Sequence, residues 1–213
     1  MFAPARFVRN RGVRQVLAGI ALAMVLGSPA AHAQQQPTGM APPQGEQFYI
    51  RIPDGWKEVL RTTQQGADII AYVPQEQNAN VWTDMLTIQV FRGMTALPAQ
   101  SFYERYTTNY RKSCETNRIG QLQGGLSNGY PAAFWVMACG RQGQSGFGET
   151  SFYRYIQGNR ALYLAQRTWR TPAFNAQQTS PVTGPASEMA IETLKMFGVC
   201  DPSTGKNPCP AQK

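Results

Sequence analysis

The chain has 213 residues, of which 20 are Lys or Arg, 12 are Asp or Glu and one is His. Four of the basic residues lie among the first 14, whereas all the acidic residues lie after residue 33. The formal net charge is therefore +8 for the whole chain and 16 − 12 = +4 for residues 34–213. The remaining Lys and Arg are scattered along the sequence, which argues against a nucleic-acid partner. The single histidine is His32, so the chain beyond it cannot form a Ser-His-Asp or Cys-His catalytic centre or a histidine-containing zinc site.

Residues 1–33 have the pattern of a cleavable signal peptide. Four arginines precede an apolar stretch over residues 16–26, and small residues then lead to Ala31-His32-Ala33, an A-x-A cleavage site. The alternative is an uncleaved membrane anchor, but the apolar stretch is too short to span about 30 Å of hydrocarbon. We therefore expect a periplasmic or secreted protein with no membrane span after signal removal.

The first part of the remaining chain predicts a linker followed by strands. Residues 34–46 are polar and rich in Pro and Gln, which predicts a disordered lead-in. Alternating and β-branched residues between turn signals predict strands at 48–52, 56–63, 67–73 and 85–92. A single α+β domain is therefore expected over residues 47–199.

The second part predicts two helices and three more strands. Pro98 suits the first turn of a helix, and Phe102, Tyr106 and Tyr110 recur every four residues up to about Cys114. Strands follow at 131–140, 149–157 and 160–169, the last two joined as a hairpin at Gly158-Asn159. Ser187 is expected to cap a last helix that Gly198 closes. This order predicts a mainly antiparallel sheet packed by two helices.

All four cysteines lie after the signal sequence, in a compartment that favours disulfides. We expect the pairs Cys114–Cys139 and Cys200–Cys209, since each joins neighbours in the sequence and the second closes the tail, residues 200–213. A four-thiolate zinc site is the alternative, but no C-x-x-C pair is present, so the sequence indicates no metal and no cofactor.

Three segments are candidate ligand-binding sites. Trp82 and Asp84 could form the wall of a ligand-binding groove. In the favoured alternative, Trp82 covers the hydrophobic core and Asp84 caps a turn. Arg141 lies in a glycine-rich stretch, residues 140–148. Because strands are predicted on both sides of it, this stretch is interpreted as a flexible hairpin connection rather than a phosphate-binding loop.

The third candidate is the segment from Tyr130 to Trp169, which is rich in aromatic and basic side chains. Tyr153, Arg154 and Tyr155 could stack on a ligand. The favoured alternative is an antiparallel hairpin with one buried face and one solvent-exposed face, on which Arg and Tyr side chains pair. Paired carboxylates are the remaining route to catalysis without histidine, and Asp84 and Glu149 could meet only if the fold brings them together.

The run from Phe48 to Arg92 carries a recurring set of motifs. They are Pro-x-Gly-Trp at 53–56, Tyr-Val-Pro at 72–74 and Trp-x-x-Met-x-Thr-x-Gln at 82–89. These motifs resemble those of small secreted bacterial proteins of uncharacterised function, and the element order resembles the PsbP superfamily. The resemblance implies an α/β/α sandwich and an assembly-accessory role without a transferable site.

These observations favour a non-enzymatic protein of the cell envelope that binds a partner protein or a small ligand. A histidine-free periplasmic hydrolase acting through carboxylates is the alternative. A structural or stress-protective envelope protein without a discrete site is a third possibility.

Overall fold

The computed structural model describes residues 45–143 and 146–211. The expected signal peptide, residues 1–33, and nearly all of the expected lead-in lie outside these ranges. No helix in the described ranges is long and apolar enough to cross a membrane.

The described chain contains ten strands and two helices. Along the chain, four strands are followed by a helix, five strands, a second helix and a last strand. The strands are β1 (Gln47–Tyr49), β2 (Trp56–Gln64), β3 (Ala67–Pro74), β4 (Asp84–Arg92), β5 (Asn117–Ile119), β6 (Gln123–Ser127), β7 (Tyr130–Cys139), β8 (Gly148–Gln157), β9 (Ala161–Thr171) and β10 (Gly198–Cys200), and the helices are α1 (Ala99–Ser113) and α2 (Pro185–Lys195).

Eight strands form one antiparallel sheet in the order β2-β3-β4-β9-β8-β7-β5, with β6 paired to β7 on the same edge as β5. The strands β1 and β10 pair with each other as a separate antiparallel ribbon. The fold class predicted from the sequence, a mainly antiparallel sheet packed by two helices, is confirmed.

Each face of the sheet is buried by a different helix. Successive residues of a strand point to opposite faces, so β9 presents Leu162 and Leu164 to one face and Tyr163 and Ala165 to the other. The first face packs against α1 and is called here the α1 face. The second packs against α2 and the β1–β10 ribbon and is called the α2 face. The result is an α/β/α sandwich.

Aromatic residues that recur every four positions along α1 pack this helix against the sheet. Phe102, one of its two buried residues, lies with Tyr106 over the sheet, where Phe102 contacts Tyr155 at 5.5 Å and Tyr106 contacts Tyr153 at 5.3 Å between ring centroids. Trp135 of β7 stacks on Tyr153 at 5.0 Å with nearly parallel rings. This aromatic layer is the core of the α1 face.

Two local predictions were wrong, and the short edge strands β5 and β6 were not predicted. Ser187 does not cap α2, since the helix begins at Pro185 after Gly184 and the Ser187 hydroxyl donates to the Val182 carbonyl. The helix also ends at Lys195, before Gly198, which begins β10.

The turn between β6 and β7 anchors the C-terminal tail. Asn128 and Gly129 both have positive φ, 50° and 82°, as a tight two-residue hairpin requires. The Asn128 side-chain amide donates to the Val199 and Pro208 carbonyls at 2.9 and 3.1 Å, and the Asn207 amide donates back to the Asn128 carbonyl at 2.6 Å. These bonds hold a tail that has little apolar surface of its own.

Both expected disulfides are formed. The Sγ atoms are 2.12 Å apart in Cys114–Cys139 and 2.09 Å apart in Cys200–Cys209. The first ties the end of α1 to the end of β7, and the second closes the tail next to β10. The described ranges hold no group of three His, Cys, Asp or Glu side chains that could bind a metal.

Candidate functional site

Asp84 faces inward and joins the sheet to α2. Its carboxylate accepts hydrogen bonds from Arg167 Nε at 3.2 Å and Nη2 at 2.8 Å, and both side chains are nearly buried, 14% and 6% exposed. Arg167 Nη1 also donates to the Met189 carbonyl and the Thr193 hydroxyl of α2. Asp84 therefore forms neither a groove wall nor a turn cap, and the pair acts as a clamp between sheet and helix.

Two tryptophans enclose the Arg167 side chain. The guanidinium carbon lies 5.1 Å from the Trp56 ring centroid and 4.5 Å from that of Trp169. Burial raises the pKa of Asp84, and the hydrogen bonds and charge of Arg167 oppose that rise. Because four of the five guanidinium N–H groups are used within the protein, this pair has a structural role.

Trp82 belongs to a second arginine cluster on the opposite face. The Arg170 guanidinium lies 3.8 Å from the Trp82 ring centroid and donates from Nε to the Glu149 carboxylate at 3.2 Å. Burial raises the pKa of Glu149, and Arg170 opposes that rise. Trp82 thus covers an ion pair at the end of the sheet rather than a cleft.

The structure separates the two carboxylates that could have formed a catalytic pair. Asp84 lies opposite Trp169 on β9, whereas Glu149 lies opposite Arg170, the next residue. Because neighbouring strand residues point to opposite faces, the thickness of the sheet lies between the two carboxylates. They share no cleft.

Tyr153 and Tyr155 lie in the core beneath α1, where they are 1% and 0% exposed. The Tyr155 hydroxyl donates to the Leu97 carbonyl, and burial raises the pKa of Tyr155 to about 12. The less favoured alternative, in which these tyrosines stack on a ligand at a solvent-exposed surface, was wrong, because α1 covers the face on which they lie.

The two remaining candidate arginines lie apart from each other. Arg154 is half-buried on the α2 face, where its Nη2 donates to the Ser127 hydroxyl at 2.9 Å. Arg141 is exposed and forms a 3.5 Å ion pair with Glu115. The glycine-rich stretch around Arg141 connects β7 to β8, as the sequence indicated, although residues 144–145 lie outside the described ranges.

A cleft of about 540 Å³ lies on the α2 face, between the N-terminal segment of the domain and the outer strands. The lining residues come from the chain before and within β1 and from four strands of the sheet: Glu46, Gln47, Phe48, Arg61, Thr62, Thr63, Asp68, Ile69, Ile70, Val90, Arg92 and Tyr163.

A β-bulge in β2 places Arg61 at this cleft. The pairing with β3 shifts between Glu58 and Leu60, so that Val59 is the extra residue. Two residues three apart in a regular strand would point to opposite faces, but the bulge puts Glu58 and Arg61 on the same one. Arg61 donates to the Glu58 carboxylate from Nε at 2.8 Å and from Nη2 at 2.6 Å.

The cleft combines an apolar floor with a charged rim. Ile70, Val90 and Tyr163 belong to the α2 face and are buried, whereas the rim arginines Arg61 and Arg92 are 61% and 77% exposed in their side chains. Such an arrangement suits an amphipathic ligand or a protruding side chain of a partner.

The carboxylates of the cleft are already engaged. A hydrogen bond from Thr63, followed by the bond and charge of Arg92, lowers the pKa of Asp68. The Glu46 carboxylate accepts hydrogen bonds from the Asn159 and Arg160 amides at 2.6 and 2.9 Å and from the Tyr163 hydroxyl at 3.1 Å. These groups are suited to holding the cleft together rather than to transferring protons.

Sequence reasoning missed this cleft. Its residues come from segments up to 117 positions apart, the separation of Glu46 and Tyr163. The one local signal is that Glu58 and Arg61 are spaced three apart within a predicted strand, and it becomes meaningful only when the bulge is known.

No protein-family model matches the chain. No curated protein matches it either. Among solved structures, the chain is similar to the Ran-binding protein Mog1p of Saccharomyces cerevisiae, with 12% identity and a TM-score of 0.50 over 73% of this chain and 92% of that one. At this identity the likeness supports the fold alone.

Two further solved structures are similar at lower scores. LpqN of Mycobacterium tuberculosis, described as involved in cell envelope biogenesis, has 10% identity and a TM-score of 0.43 over 74% of this chain and 86% of that one. The PsbP protein CyanoP of Synechocystis sp. PCC 6803 has 11% identity and a TM-score of 0.45 over 77% of this chain and 99% of that one.

Proposed function

We propose that this chain is an exported accessory protein of the bacterial cell envelope, and that it acts by binding a partner protein or a small ligand in the cleft on the α2 face. The observation that carries the proposal is the cleft itself, an apolar floor of Ile70 and Val90 beneath exposed arginines. The N-terminal sequence pattern and the two disulfides support export to an oxidising compartment.

Binding is favoured over hydrolysis by the state of the acidic groups. A glycosidase-like mechanism needs one carboxyl group that stays protonated and a second one within about 5–10 Å. The pKa of Asp68 in the cleft is lowered, and Asp84 and Glu149 lie on opposite faces of the sheet. Mog1p, which shares the fold, is a Ran-binding protein, so this fold can serve protein recognition.

The first experiment is native mass spectrometry of the protein recovered from the periplasm of its own host without reductant. We expect a mature chain beginning at Gln34, two intact disulfides and additional mass from a retained ligand or partner. An uncleaved chain, or one recovered from the cytoplasm, would contradict export.

Charge reversal then tests the cleft as the binding site. Arg61→Glu changes the rim, whereas Arg105→Glu makes the same charge change on an exposed position of α1. We expect the first variant to lose the retained mass and the second to keep it. Loss in neither variant, or equal loss in both, would show that the passenger binds elsewhere.

A further inference from the structure

Arg154 stands out among the buried and half-buried arginines of the described residues because it lacks an ion pair there and one of its buried N–H groups has no hydrogen-bond partner. Arg167 and Arg170 each contact a carboxylate, at 2.8 and 3.2 Å. Across the part of the chain that the structure describes, Arg154 forms no ion pair, and its one hydrogen bond is to the Ser127 hydroxyl at 2.9 Å. Its buried Nε has no hydrogen-bond partner.

Keeping such a group charged in a half-buried position costs free energy unless something compensates it. Burial lowers the pKa of Arg154, and the neighbouring group that opposes this is the phenol of Tyr49 rather than an acid. A guanidinium remains protonated at physiological pH even so. The described chain supplies no carboxylate that compensates this charge, so water or a bound anion must do so.

The surroundings of Arg154 provide two hydroxyl groups beside the guanidinium. Ser127 accepts from Arg154 through its oxygen, which leaves its own proton available for donation. The Tyr49 ring lies across Gly198, where an added Cβ would be 2.3 Å from the phenol oxygen, so a larger residue there would displace the ring. Tyr49 pairs with Gly198 on β10, and the carbonyl of the next residue, Val199, accepts a hydrogen bond from Asn128, which follows Ser127. This pairing brings Tyr49 to the region of Ser127 and Arg154, in agreement with its electrostatic effect on Arg154.

An apolar surface continues from this group towards the edge of the sheet. Phe134 lies directly opposite Arg154 on β7 and is half-buried on the α2 face, as is Ala132 two residues earlier. Opposite Ala132 on the edge strand is Gly125, where an added Cβ would meet nothing within 4 Å. The missing side chain leaves open space beside the apolar surface.

We propose that Arg154, Ser127 and Tyr49 form a binding site for a carboxylate whose short apolar chain lies along Phe134 and Ala132. The two terminal nitrogens of a guanidinium match the two oxygens of a carboxylate, and each charge-assisted hydrogen bond is stronger than a neutral one. None of these residues lines the cleft described above, so this site is independent of the proposed function.

The test uses hexanoate as the probe and hexanamide, which has the same chain without the charge, as its control. Purified protein is titrated with each while the Nε–Hε signals of arginine are followed by NMR and affinity is measured by calorimetry. We expect hexanoate to shift the Arg154 signal and hexanamide to leave it unchanged. Equal binding of the two probes would overturn the proposal.

Two variants complete the test. Arg154→Met should weaken hexanoate binding about tenfold or more, whereas Arg105→Met, on an exposed face of α1, should leave it unchanged. Since its charge is uncompensated, removing Arg154 should leave the melting temperature unchanged or raise it. Unchanged affinity in Arg154→Met, or a fall in its melting temperature of about 10 °C, as expected for a compensated buried charge, would refute the assignment.

Discussion

Substituting Asp84 by Asn is expected to lower the free energy of unfolding by about 3 kcal/mol, since it leaves the Arg167 guanidinium buried without an opposite charge. Arg167 is 6% exposed, and its remaining bonds go to the neutral Met189 carbonyl and Thr193 hydroxyl. Solvent therefore cannot take the place of the carboxylate. For a domain of this size the loss corresponds to a fall of about 6–12 °C in melting temperature.

Urea denaturation followed by tryptophan fluorescence measures this loss, because Trp56 and Trp169 lie against Arg167. The Arg167→Met variant should be destabilised as well, and this loss of stability should become smaller as the pH is lowered. Burial already raises the pKa of Asp84, so without Arg167 the carboxyl group takes up a proton. Stability in this variant is then lost as the pH rises through that pKa.

The double variant and an exposed pair act as controls. Asp84→Asn combined with Arg167→Met removes both charges, so its loss should be smaller than the sum of the single losses by about 2 kcal/mol. Arg92→Met breaks the exposed pair with Asp68 and should change stability by less than about 1 kcal/mol. Additive losses, or an Asp84→Asn effect as small as that of Arg92→Met, would refute the clamp.

Two further predictions concern the disulfides and the buried tyrosines. Replacing Cys114 and Cys139 by Ala should lower the free energy of unfolding by about 3.5 kcal/mol, and replacing Cys200 and Cys209 should lower it by about 2.6 kcal/mol. The first loss is larger because its bridged residues are 25 positions apart in the sequence, against 9 for the second pair. The pKa of Tyr155 is about 12 in the folded protein and about 10 in an unfolded chain. The contribution of the Tyr155 side chain to the free energy of unfolding is therefore intact below pH 10 and is lost as the pH rises through about 12. The stability difference between the wild type and Tyr155→Phe should therefore narrow over that range.

Thermal and urea unfolding of the two cysteine variants checks the first of these predictions, and a reversed order of stability would contradict it. The second is checked by urea unfolding at several alkaline pH values, with absorbance at 295 nm reporting tyrosinate. A stability difference that stays constant from pH 10 to 12 would contradict the burial of Tyr155.

Much of the fold could be predicted because its signals are local. The four-residue recurrence of Phe102, Tyr106 and Tyr110 indicates α1, and the Gly158-Asn159 spacing indicates the β8–β9 hairpin. The disulfide pairs also follow from proximity in sequence. The edge strand β6 was missed because two glycines weaken its strand pattern, although pairing to β7 compensates for them.

The candidate sites could not be predicted to the same degree, because each depends on which face of the sheet a helix covers. Alternation along β8 indicates that Tyr153 and Tyr155 share one face and Arg154 the other, but not which face α1 buries. The pairing of Asp84 with Arg167 spans 83 residues and requires β4 to lie beside β9. Nothing local to either residue indicates that neighbour.

The sequence by itself determined both helices and the longer strands, the alternation of faces along each strand, the favoured disulfide pairs and the exclusion of histidine chemistry, since these depend on residues close together in the chain or on composition. Only the tertiary structure decided the order of the strands, the bulge that turns Arg61 into the cleft and the lack of an ion pair at Arg154 within the described residues. Those features arise from contacts between distant segments, whose free energies depend on burial and on which opposite charges come within reach.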